Sequence, residues 1–220
     1  MLPLVIAVTL ARFSAPSPED NAGAEIVHAT ARATSAERWR ARWRAGGQFA
    51  EWVRPWEEQL GGEAPLRIET RDCGVAKARY DPNRDTVTIC YELVAAFERF
   101  HRTPARVEAA VHWAVLHEVG HALVARGRWR PPAATEERAA DDFATLAVLA
   151  ESPRSVRPLT VTMEWFSALA KRQRGTPSGP HGRAALRRMR IQRHLRQARA
   201  REGCDPHRPR PEDPRAALSR

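Results

Sequence analysis

The chain has 220 residues, of which 43% are hydrophobic and 28% charged, a composition typical of one globular domain with short appendages. Its seven Trp and many Val, Leu and Ala exclude a chain that is disordered throughout, and its three Cys are too few for a scaffold built on disulfides. No uninterrupted apolar stretch is long enough to cross a bilayer, so we expect no transmembrane segment in the mature chain.

The net charge of +10 is distributed unevenly along the chain. Residues 171–220 carry 15 Lys or Arg against 4 Asp or Glu, whereas residues 1–170 carry 21 against 22. Because the body of the chain is nearly neutral, its overall charge does not indicate a specific nucleic-acid partner. We expect a domain at 23–172, followed at 173–220 by an Arg- and Pro-rich basic tail whose composition is compatible with disorder.

The first residues resemble a secretory signal. An apolar run at 2–11 is followed by small residues and Pro, although the usual positive charge before the run is missing. The alternative is a short buried segment. We predict a signal peptide and linker at 1–22, and hence a secreted or periplasmic protein. Without a signal in this segment, the protein would be cytoplasmic.

The next part of the chain is Trp-rich and then strand-like. From Glu25 to Leu60 the pattern is helical, and Trp39 and Trp43 share one helix face because they are four residues apart. Interleaved with Arg, they could form a stacking platform for nucleic acid, but we favour packing in the core. Three short apolar stretches then predict strands of a small antiparallel sheet; they lie at 66–70, 75–80 and 86–91.

Helices follow these strands. Thr103 and Thr135 are suitable capping residues, and Pro104 suits a first helical position. Together with the positions of Gly and Pro, they predict helices that span 92–101, 104–126, 136–151 and 160–172. Residues 183–201 also have helical propensity, with only a ragged apolar stripe formed by Leu186, Met189 and Leu195.

The strongest functional signal is an H-E-x-x-H motif on the helix at 104–126. Its two histidines, His117 and His121, are four residues apart and therefore lie on one helix face, so both imidazoles can reach one metal ion. Zinc prefers such nitrogen ligands, and Glu118 can act on a water bound to the metal. The alternative is that His117 and His121 are buried histidines whose hydrogen bonds are satisfied within the core and that bind no metal. His112 lies off this helix face, and we treat it as structural.

Two histidines leave a third protein ligand to be found. The third histidine of metzincins is absent, since Gly127 stands at its position. The helix at 136–151 offers Glu137 and Asp141, four residues apart on one face. Glu137 can bind the metal while Asp141 accepts the second N–H of a ligand histidine. We favour Glu137 over Glu136, although acidic residues in a first helical turn also stabilise the helix dipole.

Several motifs occur in the order seen in one bacterial family: Cys73-Gly74, Tyr80-Asp81-Pro82, Ile89-Cys90-Tyr91-Glu92, and the segments 117–123 and 136–144. Over about residues 45–150 the chain resembles this family of proposed metallopeptidases, which is otherwise known as a domain of unknown function. The resemblance implies a gluzincin-like site that consists of zinc ligands His117, His121 and Glu137 with Glu118 as base. It also implies a disulfide between Cys73 and Cys90.

The chain departs from that family in two places. Lys77 stands where an Asn is expected, shortly before the Tyr80-Asp81-Pro82 turn. The C-terminal helix that packs under such a site is not recognisable after Lys171.

We therefore predict an α+β, zincin-like metallopeptidase domain, mostly helical, with a small antiparallel sheet beside the metal-binding helix. The expected cofactor is Zn²⁺ and the expected substrate is a peptide or protein. A zinc-activated water would attack the peptide bond with Glu118 as general base, and the strand at 86–91 would pair with the extended substrate. The alternatives are a zinc hydrolase of a non-peptide amide and a metal-stabilised, non-catalytic interaction protein whose basic tail binds anions.

Overall fold

The computed structural model describes residues 24–60, 64–129, 135–151, 156–172 and 184–203, so the signal predicted at 1–22 lies outside the described residues. In chain order the elements are β1 (Ala24–His28), α1 (Thr34–Gly46), α2 (Gln48–Val53), a 3₁₀ turn (Arg54–Trp56), α3 (Glu57–Leu60), β2 (Leu66–Arg71), β3 (Ala78–Asp81), β4 (Thr86–Cys90), α4 (Tyr91–His101), α5 (Pro104–Ala125), α6 (Glu136–Glu151), α7 (Arg157–Arg172) and α8 (Ala184–Gly203). Within these ranges no helix is both long and apolar enough to span a membrane.

The architecture is α+β and mostly helical, as predicted, but the sheet is not antiparallel throughout. Its strand order is β1-β2-β4-β3, with β1 parallel to β2 and β2 parallel to β4. Only the β3–β4 hairpin is antiparallel. Parallel neighbours need a long crossover between them, and α1, α2 and α3 provide it between β1 and β2. The predicted antiparallel sheet is therefore corrected to a mixed sheet.

Two further predictions are wrong because strand pairing depends on residues that are far apart in the sequence. β1 lies in the stretch predicted to be helical, because pairing with β2 overrides the local pattern. β4, predicted to receive the substrate, has both of its sides occupied, by β2 and by β3. Among the described residues, the edge beside it that has no further strand partner belongs to β3.

The tryptophans of α1 pack in the core, as favoured from the sequence. Trp43 is fully buried and Trp39 is 5% exposed, with their ring centroids 5.4 Å apart. Phe49, the first aromatic residue of α2, packs edge-on against Trp43. Rings in these positions have no face open for stacking on bases, so a nucleic-acid platform here is excluded.

The central element is α5, which begins at Pro104 as predicted. Pro suits this position because its missing N–H has no partner in a first helical turn. The middle of the helix is buried on nearly all sides, from Ala109 to Leu123. It is covered by α4, α6 and α7 and by the β3–β4 hairpin. Polar side chains on this part of α5 are therefore held inside the protein.

The predicted boundary of the domain at residue 172 does not end the packed structure. α8 packs against α6 and α7, with Ala184, Ile191 and Leu195 in the hydrophobic core. Of the apolar stripe predicted from the sequence, Leu195 is buried, whereas Leu186 and Met189 are 42% and 58% exposed. The buried face was obscured because one of its positions holds a charged residue, Arg187.

Candidate metal centre

α5 brings the two histidines of the motif together. His117 and His121 lie one turn apart, their rings are perpendicular, and their Nε2 atoms are 3.2 Å apart. Both side chains are nearly buried, with 4% and 9% of their surface exposed. On its inner side His117 stacks on Trp113, whose ring is 5.2 Å away and almost parallel. The tryptophan thus limits the rotation of His117.

α6 adds a carboxylate to this pair. One oxygen of Glu137 lies 3.6 Å from Nε2 of His117, and the other lies 3.6 Å from Nε2 of His121. The possible ligand atoms of these three residues all lie within 4.8 Å of one another. Two imidazoles and a carboxylate form a donor set that zinc uses in catalytic sites.

Gly120 determines how closely α6 approaches α5. A Cβ atom added at Gly120 would lie 2.8 Å from Cα of Ala140 and 3.2 Å from its carbonyl oxygen. Both contacts are with backbone, which cannot move aside as a flexible side chain would. The glycine inside the H-E-x-x-H motif therefore allows the close helix contact that places Glu137 beside the histidines.

Each histidine also has a carboxylate at its other ring nitrogen. Asp141 lies 3.2 Å from Nδ1 of His117, and Glu136 lies 2.8 Å from Nδ1 of His121. An acceptor at Nδ1 favours the tautomer whose Nε2 carries the free lone pair. Asp141 thus occupies the position expected from its spacing. The contact of Glu136 was missed because its side chain, 60% exposed, lies at the first turn of α6.

The buried charges influence one another. Burial acts to lower the pKa of His117, but hydrogen bonds to Asp141 and Glu137 raise it above its ordinary value. Burial acts to raise the pKa of Asp141, yet the hydrogen bond to His117 and the charge of Arg187 lower it. The site is thus a compact cluster of opposite charges.

Glu118 faces a cleft of about 350 Å³ that opens beside the histidines. The cleft is lined by His121, Glu136 and Glu137 on the helical side and by Ala78, Tyr80 and Pro82 from the β3 hairpin. Glu118 is only 6% exposed. Within the described part of the chain, no side chain forms a hydrogen bond with its carboxylate.

The family of the chain can be identified by comparison with known proteins. A family described as "Putative metallopeptidase" matches residues 29–194. The chain belongs to this family. No curated protein and no solved structure matches it. Membership supports a general peptidase role with peptide substrates and implies a metal ion.

The family match also bears on the C-terminal part of the domain. It extends to residue 194 and so includes the first half of α8, in keeping with the packing of that helix. In this family member the two acidic residues at 141–142 both contact α8: Asp141 binds Arg187 and Asp142 binds His194. These contacts account for two adjacent acidic residues in an Ala-rich helix.

Cys73 and Cys90 are joined by a disulfide away from the metal centre. It connects the loop after β2 to the end of β4, where the carboxylate of Glu92 accepts hydrogen bonds from the backbone N–H groups of Cys73 and Gly74. His112 stacks on Trp52 and contacts Glu151 instead of the metal centre.

Sequence reasoning missed Arg187, which approaches the centre from α8. Its signal was a helical spacing: Ala184, Arg187, Ile191 and Leu195 recur every three or four residues and form the buried face of α8. A charged residue on such a face indicates a buried ionic partner.

Proposed function

We propose that this chain is a gluzincin-like zinc metallopeptidase in which His117, His121 and Glu137 bind the metal. One observation carries the proposal: the convergence of two Nε2 atoms and a carboxylate within 4.8 Å. The three groups fit zinc by chemistry, since imidazole nitrogen and carboxylate oxygen are its usual ligands in such sites. They also fit by orientation, because Asp141 and Glu136 occupy the two Nδ1 positions.

The reaction is hydrolysis of a peptide bond. When bound, zinc acts as a Lewis acid that polarises the scissile carbonyl and lowers the pKa of a water molecule. Glu118 accepts a proton from the attacking water and then donates it to the leaving amine. Asp141 and Glu136 keep the histidine tautomers fixed during these transfers. The low exposure of Glu118 limits competition from bulk solvent.

The free edge of β3 is the part of the cleft best suited to an extended substrate. β3 is paired only with β4 in the described sheet, and its residues line the same cleft as Glu118. An exposed strand edge can bind a peptide through backbone hydrogen bonds. This assignment replaces β4, whose two sides are occupied. It favours unfolded chains as substrates, because a folded protein rarely offers a free extended segment.

Chelation tests this function directly. We expect the purified protein to cleave an unstructured protein such as reduced casein, to stop when a zinc chelator is added, and to resume when zinc is returned. A metal-binding protein that cleaves no peptide would instead favour the non-catalytic interaction protein. Cleavage of small amides alone would favour a hydrolase of non-peptide amides. Cleavage that persists in excess chelator would contradict the proposed mechanism.

We expect Glu137→Ala to weaken zinc binding much more than Glu136→Ala. Glu137 contacts the Nε2 atoms, whereas Glu136 contacts Nδ1 of His121 from an exposed position. Loss of a partner at the second ring nitrogen of a ligand histidine typically lowers metal affinity by about 10- to 100-fold. Because the side chain of Glu136 is exposed, we expect Glu136→Ala to lower zinc affinity by about tenfold or less. Competition titration with a chelating dye measures both variants. Equal losses, or a larger loss for Glu136→Ala, would contradict the assignment.

We also propose export for this protein, with the disulfide as support. Disulfides persist mainly in oxidising compartments such as the periplasm, and Cys73–Cys90 is one. Fractionation of cells that express the full chain, with the mass of the mature protein, tests this. Recovery of the uncleaved chain in the cytoplasm would refute it.

A further inference from the structure

Arg187 is a buried cation at the inner side of the metal centre. Arg187 is only 8% exposed. Because arginine is almost never buried without a partner, we expect an acidic group beside it. The guanidinium lies over two aromatic rings that contact each other, 4.6 Å from the centroid of Phe166 and 5.4 Å from that of Trp113. Trp113 is also the ring on which His117 stacks. Arg187 and His117 thus both contact the ring of Trp113.

The guanidinium binds Asp141 through two of its nitrogens. Nε lies 2.9 Å from Oδ1 of Asp141, and Nη2 lies 2.6 Å from the same oxygen. The other oxygen, Oδ2, is 3.1 Å from Nη1 of Arg190. Asp141 is 1% exposed, so these two arginines of α8 and His117 determine its position.

The same atoms connect Arg187 to the ligand histidine. Oδ1 of Asp141, which accepts hydrogen bonds from Nε and Nη2 of Arg187, is the oxygen 3.2 Å from Nδ1 of His117. Nη2 of Arg187 lies 3.3 Å from each of the two ring nitrogens of His117, so it contacts the ring as a whole. A planar guanidinium fixes a carboxylate in direction as well as in distance. Arg187 is therefore placed to orient Asp141 toward His117.

We propose that Arg187 is a positioning residue of the metal centre, through which α8 completes the site. It holds Asp141 so that the carboxylate fixes the ring of His117. The inference rests on the proposed metal site and deepens it. Part of the segment predicted to be a basic tail is then required for metal binding.

A purely structural role would give different results from a positioning role. If Arg187 only attaches α8 to the body, its loss lowers stability and leaves metal affinity per folded molecule unchanged. If it positions Asp141, its loss lowers metal affinity, and that loss depends on Asp141. A double-mutant cycle between the two residues separates these cases.

The test uses the full chain and the metal ion alone. Zinc affinity is measured by competition with a chelating dye, and the cobalt form is examined by visible absorption, which reports ligand geometry. We expect Arg187→Met to lower zinc affinity about tenfold, in the range seen when a partner of a ligand histidine is lost, and to alter the cobalt spectrum. In an Asp141→Asn background the same change should have almost no further effect.

Two further variants complete the experiment. Arg187→Lys keeps the positive charge but loses the planar guanidinium that binds Asp141 through two nitrogens. Its zinc affinity should therefore lie between those of wild type and Arg187→Met. It also carries the comparison if thermal melting shows that metal-free Arg187→Met is unfolded. Arg193→Gln, an exposed arginine on the same helix, is the matched control and should bind zinc like wild type.

The positioning role would be overturned if Arg187→Met lowered zinc affinity equally in the wild-type and Asp141→Asn backgrounds. It would also be overturned if Arg187→Met or Arg187→Lys bound zinc with wild-type affinity. Either result would leave the proposed function intact. A wild-type protein that binds no zinc would overturn the proposed function itself.

Discussion

His117→Ala and His121→Ala are each expected to abolish zinc binding at stoichiometric concentrations. Each removes one of the three groups that converge within 4.8 Å, and two remaining ligands do not form a complete site. Loss of a residue that only hydrogen-bonds to a ligand histidine typically lowers metal affinity by about 10- to 100-fold, and loss of the ligand itself should lower zinc affinity further. Elemental analysis of the dialysed variants, with competition titration, measures the effect.

A matched control for these variants lies on the same helix. His112 is also buried in α5, but it stacks on Trp52 and contacts Glu151. We expect His112→Ala to lower the melting temperature and to keep its zinc. Zinc retention by both His117→Ala and His121→Ala would refute the site. Zinc loss in His112→Ala together with the other two would indicate that the loss follows general destabilisation.

Glu118→Gln is expected to bind zinc normally and to lose hydrolysis. Gln has nearly the same shape as Glu and can still form a hydrogen bond with water, but it cannot accept the proton. General-base contributions are commonly about 10²–10⁴ in rate, so residual cleavage should lie near the detection limit. Cleavage of an unstructured protein, measured beside zinc content and melting temperature, separates loss of chemistry from loss of fold.

Glu108→Gln provides the control for that experiment. Glu108 is a second carboxylate on α5, and it pairs with Arg42 away from the cleft. Surface ion pairs contribute little to stability, typically about 0–1 kcal/mol. We therefore expect Glu108→Gln to retain full activity. Equal activity of Glu118→Gln and wild type would show that another group is the base.

The local parts of the site are predictable from the sequence. The four-residue spacings of His117 with His121 and of Glu137 with Asp141 follow from the period of a helix. Pro104 predicts the start of α5, although the side chain of Thr103 forms no capping hydrogen bond there. Thr135 predicts the start of α6, and its hydroxyl accepts a hydrogen bond from the backbone N–H of Arg138. These features depend on neighbours within one turn, so a single sequence contains them.

The non-local parts are not predictable in this way. β1 becomes a strand because β2 lies beside it, and β4 becomes internal because β1 and β2 extend the sheet on its other side. Arg187 was obscured by its own charge: the buried face of α8 includes an arginine whose partner, Asp141, is 46 residues away. Such partners are known only once the helices are packed.

Anomalous scattering from a wild-type crystal grown with zinc tests the central claim most directly. Data collected on the two sides of the zinc absorption edge locate the ion without reference to activity or substrate. The account predicts one strong peak within bonding distance of Nε2 of His117, Nε2 of His121 and a carboxylate oxygen of Glu137. No peak at this position, or a peak bound by Glu136 in place of Glu137, would contradict it.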